Sequence, residues 1–288
     1  MHERTDDAPA LPQVDRPDDR RARQTADDHV QFLLLVSAVG AEFWSAIPLG
    51  FGVKLCAHDA NSLAAFDKPA GVLSHPNSRA DEPRSLLTCR YDEAAESWIW
   101  TDEAGVERRV WLLNRLDGAT SGVILVAAEA ALARAIKEQF ARKQIRKVYH
   151  ALVFGKPSER VQLWRDLLAV QKKGGQVRTS VSAGHIPAVT QFSFVRHQQG
   201  AFSTSLIKLE PHTGRSHQLR VQCAKRHLPI VGDQTYGDFG LNRAFAKATG
   251  EKRLFLHSLE TSFSYEFAGA THHFKAHAPL PAEFEQRY

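Results

Sequence analysis

The sequence predicts an α+β fold with a central mixed, largely antiparallel sheet flanked by helices and loops. Three observations carry this expectation. From residue 64 onward, short apolar segments alternate with turns rich in glycine and proline. Helical spacing is read in two places, around residues 132–140 and 216–226. The segments do not repeat as strand, helix, strand, which argues against a doubly wound parallel sheet.

Residues 1–28 are rich in Asp, Arg, Pro and Ala and poor in large apolar side chains, the composition of a disordered leader. Residues 29–63 hold apolar patches at 33–36 and 43–49 but no motif, and stand as an N-terminal extension of unassigned role. The main domain is placed at residues 64–288. It opens at Asp67-Lys68-Pro69-Ala70-Gly71-Val72, a strand end whose Pro69 and Gly71 supply a bend. Residues 98–100 and 110–113 read as strands. The almost continuous apolar run at 122–127 suits a strand buried on both faces.

An amphipathic helix follows, with Leu132, Ile136 and Phe140 recurring every four residues. Residues 145–154 form the next strand, ended by Gly155, and Tyr149 projects from the face opposite Val148 and His150. Loops are expected at 156–160 and 172–176. Strands are expected at 190–196 and 201–209, a helix at 216–226, and closing strands at 255–258 and 261–267.

The bulk properties exclude several classes. In 288 residues, 43% are hydrophobic and 24% charged, enough for a packed core. No apolar run reaches the ~18 residues of a membrane span, so no membrane partner is expected. Cys56, Cys89 and Cys223 form no CxxC pair, which fits a reducing cytoplasm and gives no zinc or disulfide framework. His212, His217, His257, His272, His273 and His277 match no metal-ligand spacing, so no metal and no cofactor are expected. The net charge is +5, but residues 1–30 carry −3, which leaves +8 on the rest. That surplus permits a polyanionic partner without requiring one.

The most informative stretch is Asn114-Arg115-Leu116-Asp117-Gly118-Ala119-Thr120-Ser121-Gly122. It sets one acid in a polar, glycine-flanked loop directly before a buried strand, where a carboxylate is held in a fixed direction. Taken alone, Asp117 reads equally as a turn aspartate bonding its own backbone. Five further segments decide the matter: Lys147-Val148-Tyr149-His150-Ala151-Leu152-Val153-Phe154-Gly155, Thr213-Gly214-Arg215-Ser216-His217-Gln218-Leu219-Arg220-Val221, Pro229-Ile230-Val231-Gly232-Asp233-Gln234-Thr235-Tyr236-Gly237, the opening Asp67-Lys68-Pro69-Ala70-Gly71, and the closing Leu256-His257-Ser258. Together and in this order they resemble the motifs of the RluA family of RNA pseudouridine synthases, over about residues 64–265.

The resemblance implies a pseudouridine synthase fold, with residues 64–288 as the catalytic domain. It implies isomerisation of uridine to pseudouridine in ribosomal or transfer RNA, with RNA as partner and no cofactor; a monomer is the default expectation. Asp117 is then the catalytic carboxylate, Arg220 its ion-pair partner, and Tyr149 the ring that stacks on the target base. Arg115, Thr120, Lys147, Arg215, His217, Gln218 and Leu219 are the expected substrate-binding positions. Two departures stand out: Asn114 and Gln222 occupy places where the family usually has His.

The chemistry suits these residue types. Moving the sugar from N1 to C5 of uracil needs no redox change. It needs a carboxylate beside the ribose, acting either as nucleophile at C1′ or as base at C2′. Burial alone would neutralise that acid, and a nearby guanidinium keeps it charged. The target base must leave its stack, at a cost of a few kcal/mol. Residues 131–160 hold eight Lys/Arg (Arg134, Lys137, Arg142, Lys143, Arg146, Lys147, Lys156 and Arg160) against two acids, and are the candidate phosphate-binding surface. Two other readings remain at this point: a non-catalytic RNA-binding or RNA-folding protein on the same scaffold, and a glycosidase-like hydrolase pairing Asp117 with a second acid.

Overall fold

The computed structural model of the protein describes residues 40–173, 176–181 and 184–285. The expected leader at 1–28 lies outside the described residues, as does the start of the 29–63 segment. From Gly40 on, that segment is built into the sheet. Helix α1 (Ala41–Ala46) seats Trp44, fully buried, against Phe66. Strand β1 (Lys54–His58) pairs antiparallel with β2 (Leu63–Lys68).

Strands β3 (Arg90–Asp92), β4 (Ser97–Thr101) and β5 (Glu107–Leu112) form a meander that leads into β6 (Ser121–Ala127). Every residue of β6 is buried, as its unbroken apolar run requires. Helix α2 (Ala130–Ala141) starts where the Glu129 side chain accepts from the Ala131 amide, and it buries Leu132, Ala133 and Ile136. Strands β7 (Arg146–Phe154), β8 (Val161–Lys173), β9 (Gln176–Ser180), β10 (Ile186–Gln198) and β11 (Thr204–Pro211) follow. Helices α3 (Gln218–Lys225) and α4 (Phe239–Thr249) precede the hairpin of β12 (Leu256–Phe267) and β13 (Ala270–His277), and α5 (Ala282–Glu285) closes the described chain.

The sheet runs β3-β4-β5-β6-β12-β7-β11-β10-β8-β9, with β2 on β6, β1 on β2 and β13 on β12. The β6–β12 pairing is parallel and the other strand pairings are antiparallel, so the expected mixed, largely antiparallel sheet is present. Three apolar clusters fill it. One, between β7, β10, β11, α3 and α4, holds Trp164, Phe192, Phe245 and Phe255. The others surround β6 from its two faces.

The structure corrects several expected elements. Strand β8 was not foreseen, because its inward face carries Asp166 among apolar neighbours and so hides the alternation. The two closing strands are one long strand with a bulge between Ser258 and Glu260. The tract holding His272, His273 and His277 is strand β13, whose inward positions are Phe274 and Ala276. There Ser264 Oγ meets His273 Nδ1 at 2.7 Å, and His272 stacks on Tyr265.

Candidate active site

The ends of β6, β7 and α3 meet around a cleft of about 640 Å³. Asp117, Tyr149 and Arg220 all line it, and with them Arg115, Thr120, Lys147, Arg215, His217, Gln218 and Leu219. Segments more than a hundred residues apart in sequence thus converge on one concave surface.

The loop before β6 is pinned on both sides. Asn114 Oδ1 accepts from the Leu125 amide at 2.7 Å, so this asparagine fixes the start of the motif onto β6. Ser74 Oγ donates to the Leu116 carbonyl at 2.7 Å and accepts from its amide at 2.9 Å. The Thr120 amide donates to the Asp117 carbonyl at 2.9 Å, closing a tight turn. Beneath lies Lys68, fully buried, whose Nζ donates to the carbonyls of Val72, Pro69 and Gly118 at 2.6, 3.1 and 3.2 Å. Burial lowers its pKa to about 7, against the pull of the Asp117 charge.

Behind the loop, Arg253 Nη2 donates to Ser121 Oγ at 2.6 Å, and Ser121 meets His257 Nδ1 at 2.8 Å. His257 Nε2 lies 3.1 Å from the Ala278 carbonyl, which accepts the ring proton and leaves Nδ1 as the acceptor for Ser121. Burial holds this imidazole down to about 4, against the bond to Ala278, with the Arg253 charge adding to the fall.

Arg220 sits on α3 and is 7% exposed. Its Nη1 donates to Asp117 Oδ2 at 3.0 Å. Its Nε and Nη2 donate to Asp233 Oδ2 and Oδ1 at 2.8 and 2.7 Å, a two-bond fork. Its Cζ lies 5.1 Å from the Tyr236 ring centre, a cation–π contact. Burial works against its charge, but the bonds and charge of Asp233, then those of Asp117, hold its pKa above the usual arginine range. Burial likewise works against ionised Asp233, and Arg220 with the Tyr236 and Thr235 amides more than offsets it.

Tyr149 is half-buried between two apolar clusters. Burial pushes its hydroxyl up to about 12; a hydrogen bond with Ser258 acts the other way, and the Asp117 charge adds to the rise. The phenol therefore stays protonated at neutral pH. His217 takes left-handed backbone (φ 55°), and its Nδ1 lies 2.8 Å from the Tyr236 hydroxyl. That hydroxyl accepts from the Thr179 amide, so its own proton goes to His217 Nδ1. The Nε2 side then faces Asp117 Oδ2 at 3.8 Å.

Not every expected contact is free to meet a ligand. Gln218 lines the cleft, but its amide is spent on the protein: Oε1 accepts from Thr213 Oγ1 and the Arg215 amide, and Nε2 donates to Thr190 Oγ1 and the Val189 carbonyl. It holds the 213–215 turn and offers RNA no free donor or acceptor. Leu219 is 7% exposed and belongs to the core. Gln222 bonds Thr190 and the buried Asp166, sewing α3 to the sheet.

The expected basic surface at 131–160 is also partly committed. Lys137 pairs with Glu96, Arg142 with Glu138, and Arg146 with Glu210 and Glu260. Of the eight, Lys147 lines the cleft. Arg115 and Arg215 stand exposed at its mouth. Asp233, the anchor of Arg220, is not marked by the sequence; a Gly-Asp pair carries no sign of which side chain it will meet.

The family model described as RNA pseudouridylate synthase matches residues 62–225, more than half of the chain. The chain belongs to the RluA family of RNA pseudouridine synthases. This synthase is 33% identical over 215 residues to "tRNA pseudouridine synthase C" of Salmonella typhimurium, covering 72% of this chain and 78% of that one. It is 34% identical to the protein of the same name from Haemophilus influenzae, covering 70% and 83%. Its fold is like that of the solved structure "Human RNA Pseudouridylate Synthase Domain Containing 1", with a TM-score of 0.60, 21% identity and coverage of 79% and 83%. It is an enzyme that isomerises uridine to pseudouridine in RNA. The non-catalytic and hydrolytic readings are not favoured. No helix among the described residues is long and apolar enough to cross a membrane.

Proposed function

We propose that this synthase acts on transfer RNA, the substrate in the names of its relatives, and that Asp117 carries the reaction. The observation that supports this most directly is the Asp117–Arg220–Asp233 chain at the cleft that Tyr149 also lines. Asp117 is the one carboxylate of the three groups that faces open space. Arg220 aims it, because its other two bonds fix the guanidinium plane.

The reaction is an isomerisation. The C1′–N1 bond breaks, uracil turns over the ribose, and a C1′–C5 bond forms. The C5 proton then leaves and N1 gains one. Asp117 acts on the ribose, as nucleophile at C1′ or as base at C2′. A deuterium isotope effect at C2′ supports the second route and its absence the first. Tyr149 lies under the base, where stacking contributes roughly 1–3 kcal/mol. Arg115, Lys147 and Arg215 bind phosphates at the mouth, and Thr120 and His217 shape the ribose side of the cleft.

We assign residues 64–288 to the catalytic domain, acting as a monomer in the cytoplasm and without a metal. Three unpaired thiols suit that reducing compartment. The deciding experiment is position-resolved pseudouridine mapping of total RNA, comparing cells with the intact protein, without it, and with Asp117→Asn. A tRNA site that disappears in both altered strains is the expected result. A site retained with Asp117→Asn, or a lost site confined to ribosomal RNA, overturns the proposal.

A further inference from the structure

We propose that Phe51 is an RNA contact that stacks on an unstacked nucleobase near the target uridine, a role resting on the RNA-modifying activity but not on any catalytic assignment. Phe51 is 94% exposed, the extreme among the large apolar side chains described. It stands at the tip of a turn between Gly50 and Gly52, in the segment that precedes the family match.

The turn is rigidly held. The Gly50 amide donates to the Leu86 carbonyl at 2.8 Å, the Val53 amide to the Gly50 carbonyl at 3.1 Å, and Leu49 bridges Leu87. Side chains are excluded on both flanks: a Cβ at position 50 would come 2.1 Å from the Ser85 carbonyl oxygen, while Gly52 has φ +73° and backs onto Pro69. Two glycines press this tip against its neighbours while the phenyl ring stays in water. The backbone that carries the ring is already ordered, so a flat partner that covers it has only the side-chain rotamers left to restrict.

The position suits an RNA strand entering the cleft. Leu86 also donates to the Leu73 carbonyl, and Leu73 lines the cleft. Gly50, at the base of the tip, is therefore within two hydrogen-bonded chain spacings, about 10 Å, of the cleft wall. That distance corresponds to about three nucleotides at ~3.4 Å of rise each. On the other flank, Pro69 shares the Lys68 ammonium with Gly118, next to Asp117. Lys54, three residues further on and exposed at the start of β1, adds a cation to the same segment.

A nucleobase fits better than a protein. A stable protein interface needs about 800 Å² from each partner, and here one ring stands between glycines. A base offers a flat face of matching size, and aromatic stacking tolerates any of the four.

The test uses the full chain and, as the probe, unmodified tRNA transcripts that the intact protein is first shown to modify, so that a wrong RNA class is recognised before Phe51 is tested. Affinity is measured by filter binding in an Asp117→Asn background, so that failure of the catalytic assignment leaves this result readable. Turnover is measured with Asp117 intact. We expect Phe51→Ala to weaken binding and raise KM by roughly 5- to 100-fold, with kcat at saturating RNA and the melting temperature unchanged. Phe51→Tyr keeps wild-type affinity. A photocrosslinking residue introduced at Phe51 attaches to RNA. Wild-type affinity in Phe51→Ala, with or without a change in melting temperature, overturns the proposal, as does crosslinking to protein instead of RNA.

Discussion

Arg220 and Asp233 lie fork to fork, with Nε on Oδ2 at 2.8 Å and Nη2 on Oδ1 at 2.7 Å, both side chains almost fully buried. Only Nη1 is left for Asp117, at 3.0 Å. The buried pair thus fixes the guanidinium plane, and the single outward bond places the working carboxylate. Asp233 is a positioning residue that acts through Arg220.

Removing that anchor has a double cost. In Asp233→Asn the Arg220 charge stays buried with one carboxylate instead of two, and breaking a buried pair costs about 3–5 kcal/mol. We expect the urea midpoint to drop accordingly. Below that midpoint, kcat falls by ~10- to 100-fold, the scale of a slightly misplaced reacting group. tRNA affinity stays near wild type, because Asp233 is 1% exposed and meets no ligand. Wild-type kcat in this variant would show that Asp117 is aimed by something else.

Tyr149 separates stacking from proton transfer. With its hydroxyl pushed up to about 12, it is a phenol throughout the working range, held by Ser258. Tyr149→Phe keeps the ring and loses the hydroxyl. We expect tRNA affinity to hold and the final deprotonation to change by less than about 10-fold, because a hydroxyl that keeps its own proton is no base for C5; a loss of about 10²–10⁴-fold, the usual contribution of a positioned proton acceptor, would show that the phenol ionises during turnover. Tyr149→Leu should instead weaken binding by roughly 1–3 kcal/mol. Single-turnover kinetics with filter binding distinguish the two. A fully active Tyr149→Phe confines the residue to stacking.

The motif residues were legible because each chemical role rests on a short contiguous segment. Asp117, Tyr149 and Arg220 do line one cleft. The supports were not legible, because each depends on a distant partner. Asp166 looks like a solvent-facing acid in β8, yet its carboxylate is fully buried beneath Gln222, Lys225 and Arg226. Gln218 has the polarity of a ligand contact, but its four hydrogen-bonding positions are already filled within the protein. The His to Gln change at 222 shows the same limit: only the fold reveals that this amide bridges Thr190 and Asp166. Helix α4 begins at Phe239 and Gly240, a texture that reads as loop until the Asp238 cap on Leu241 is seen.

His257 gives the fold an acid limit. The folded protein holds it near 4, against 6.5 for the free side chain. Between those values the unfolded chain binds the proton more tightly, so stability is intact above pH 6.5 and declines as pH falls towards 4. At pH 5 the loss is about 2 kcal/mol, at 1.4 kcal/mol per pH unit. His257→Gln does not titrate here. Its stability deficit relative to wild type, measured by urea unfolding, should narrow by about that amount between pH 7 and pH 5. A deficit that does not change with pH would mean that His257 titrates normally in the fold.

Gly122 is where the catalytic loop and β12 come closest. Its φ is +108°, and an added Cβ would lie 2.1 Å from the Ser258 carbonyl oxygen and 2.7 Å from the Ser258 amide nitrogen. Neither obstacle yields, since both atoms are backbone in the parallel pairing of β6 with β12. Gly122→Ala therefore combines a strained dihedral with overpacking, for an expected loss of about 3 kcal/mol or more. The strands can relieve the clash only by moving apart. That displaces His257 from Ser121 and Ser258 from Tyr149, so kcat should fall even where the variant remains folded. Gly118→Ala is the control for stability: its Cβ would meet only the flexible end of Leu73, at 3.1 Å, and the change should cost less than ~1 kcal/mol. Equal unfolding midpoints for the two variants would show that the β6–β12 contact is looser than its geometry demands.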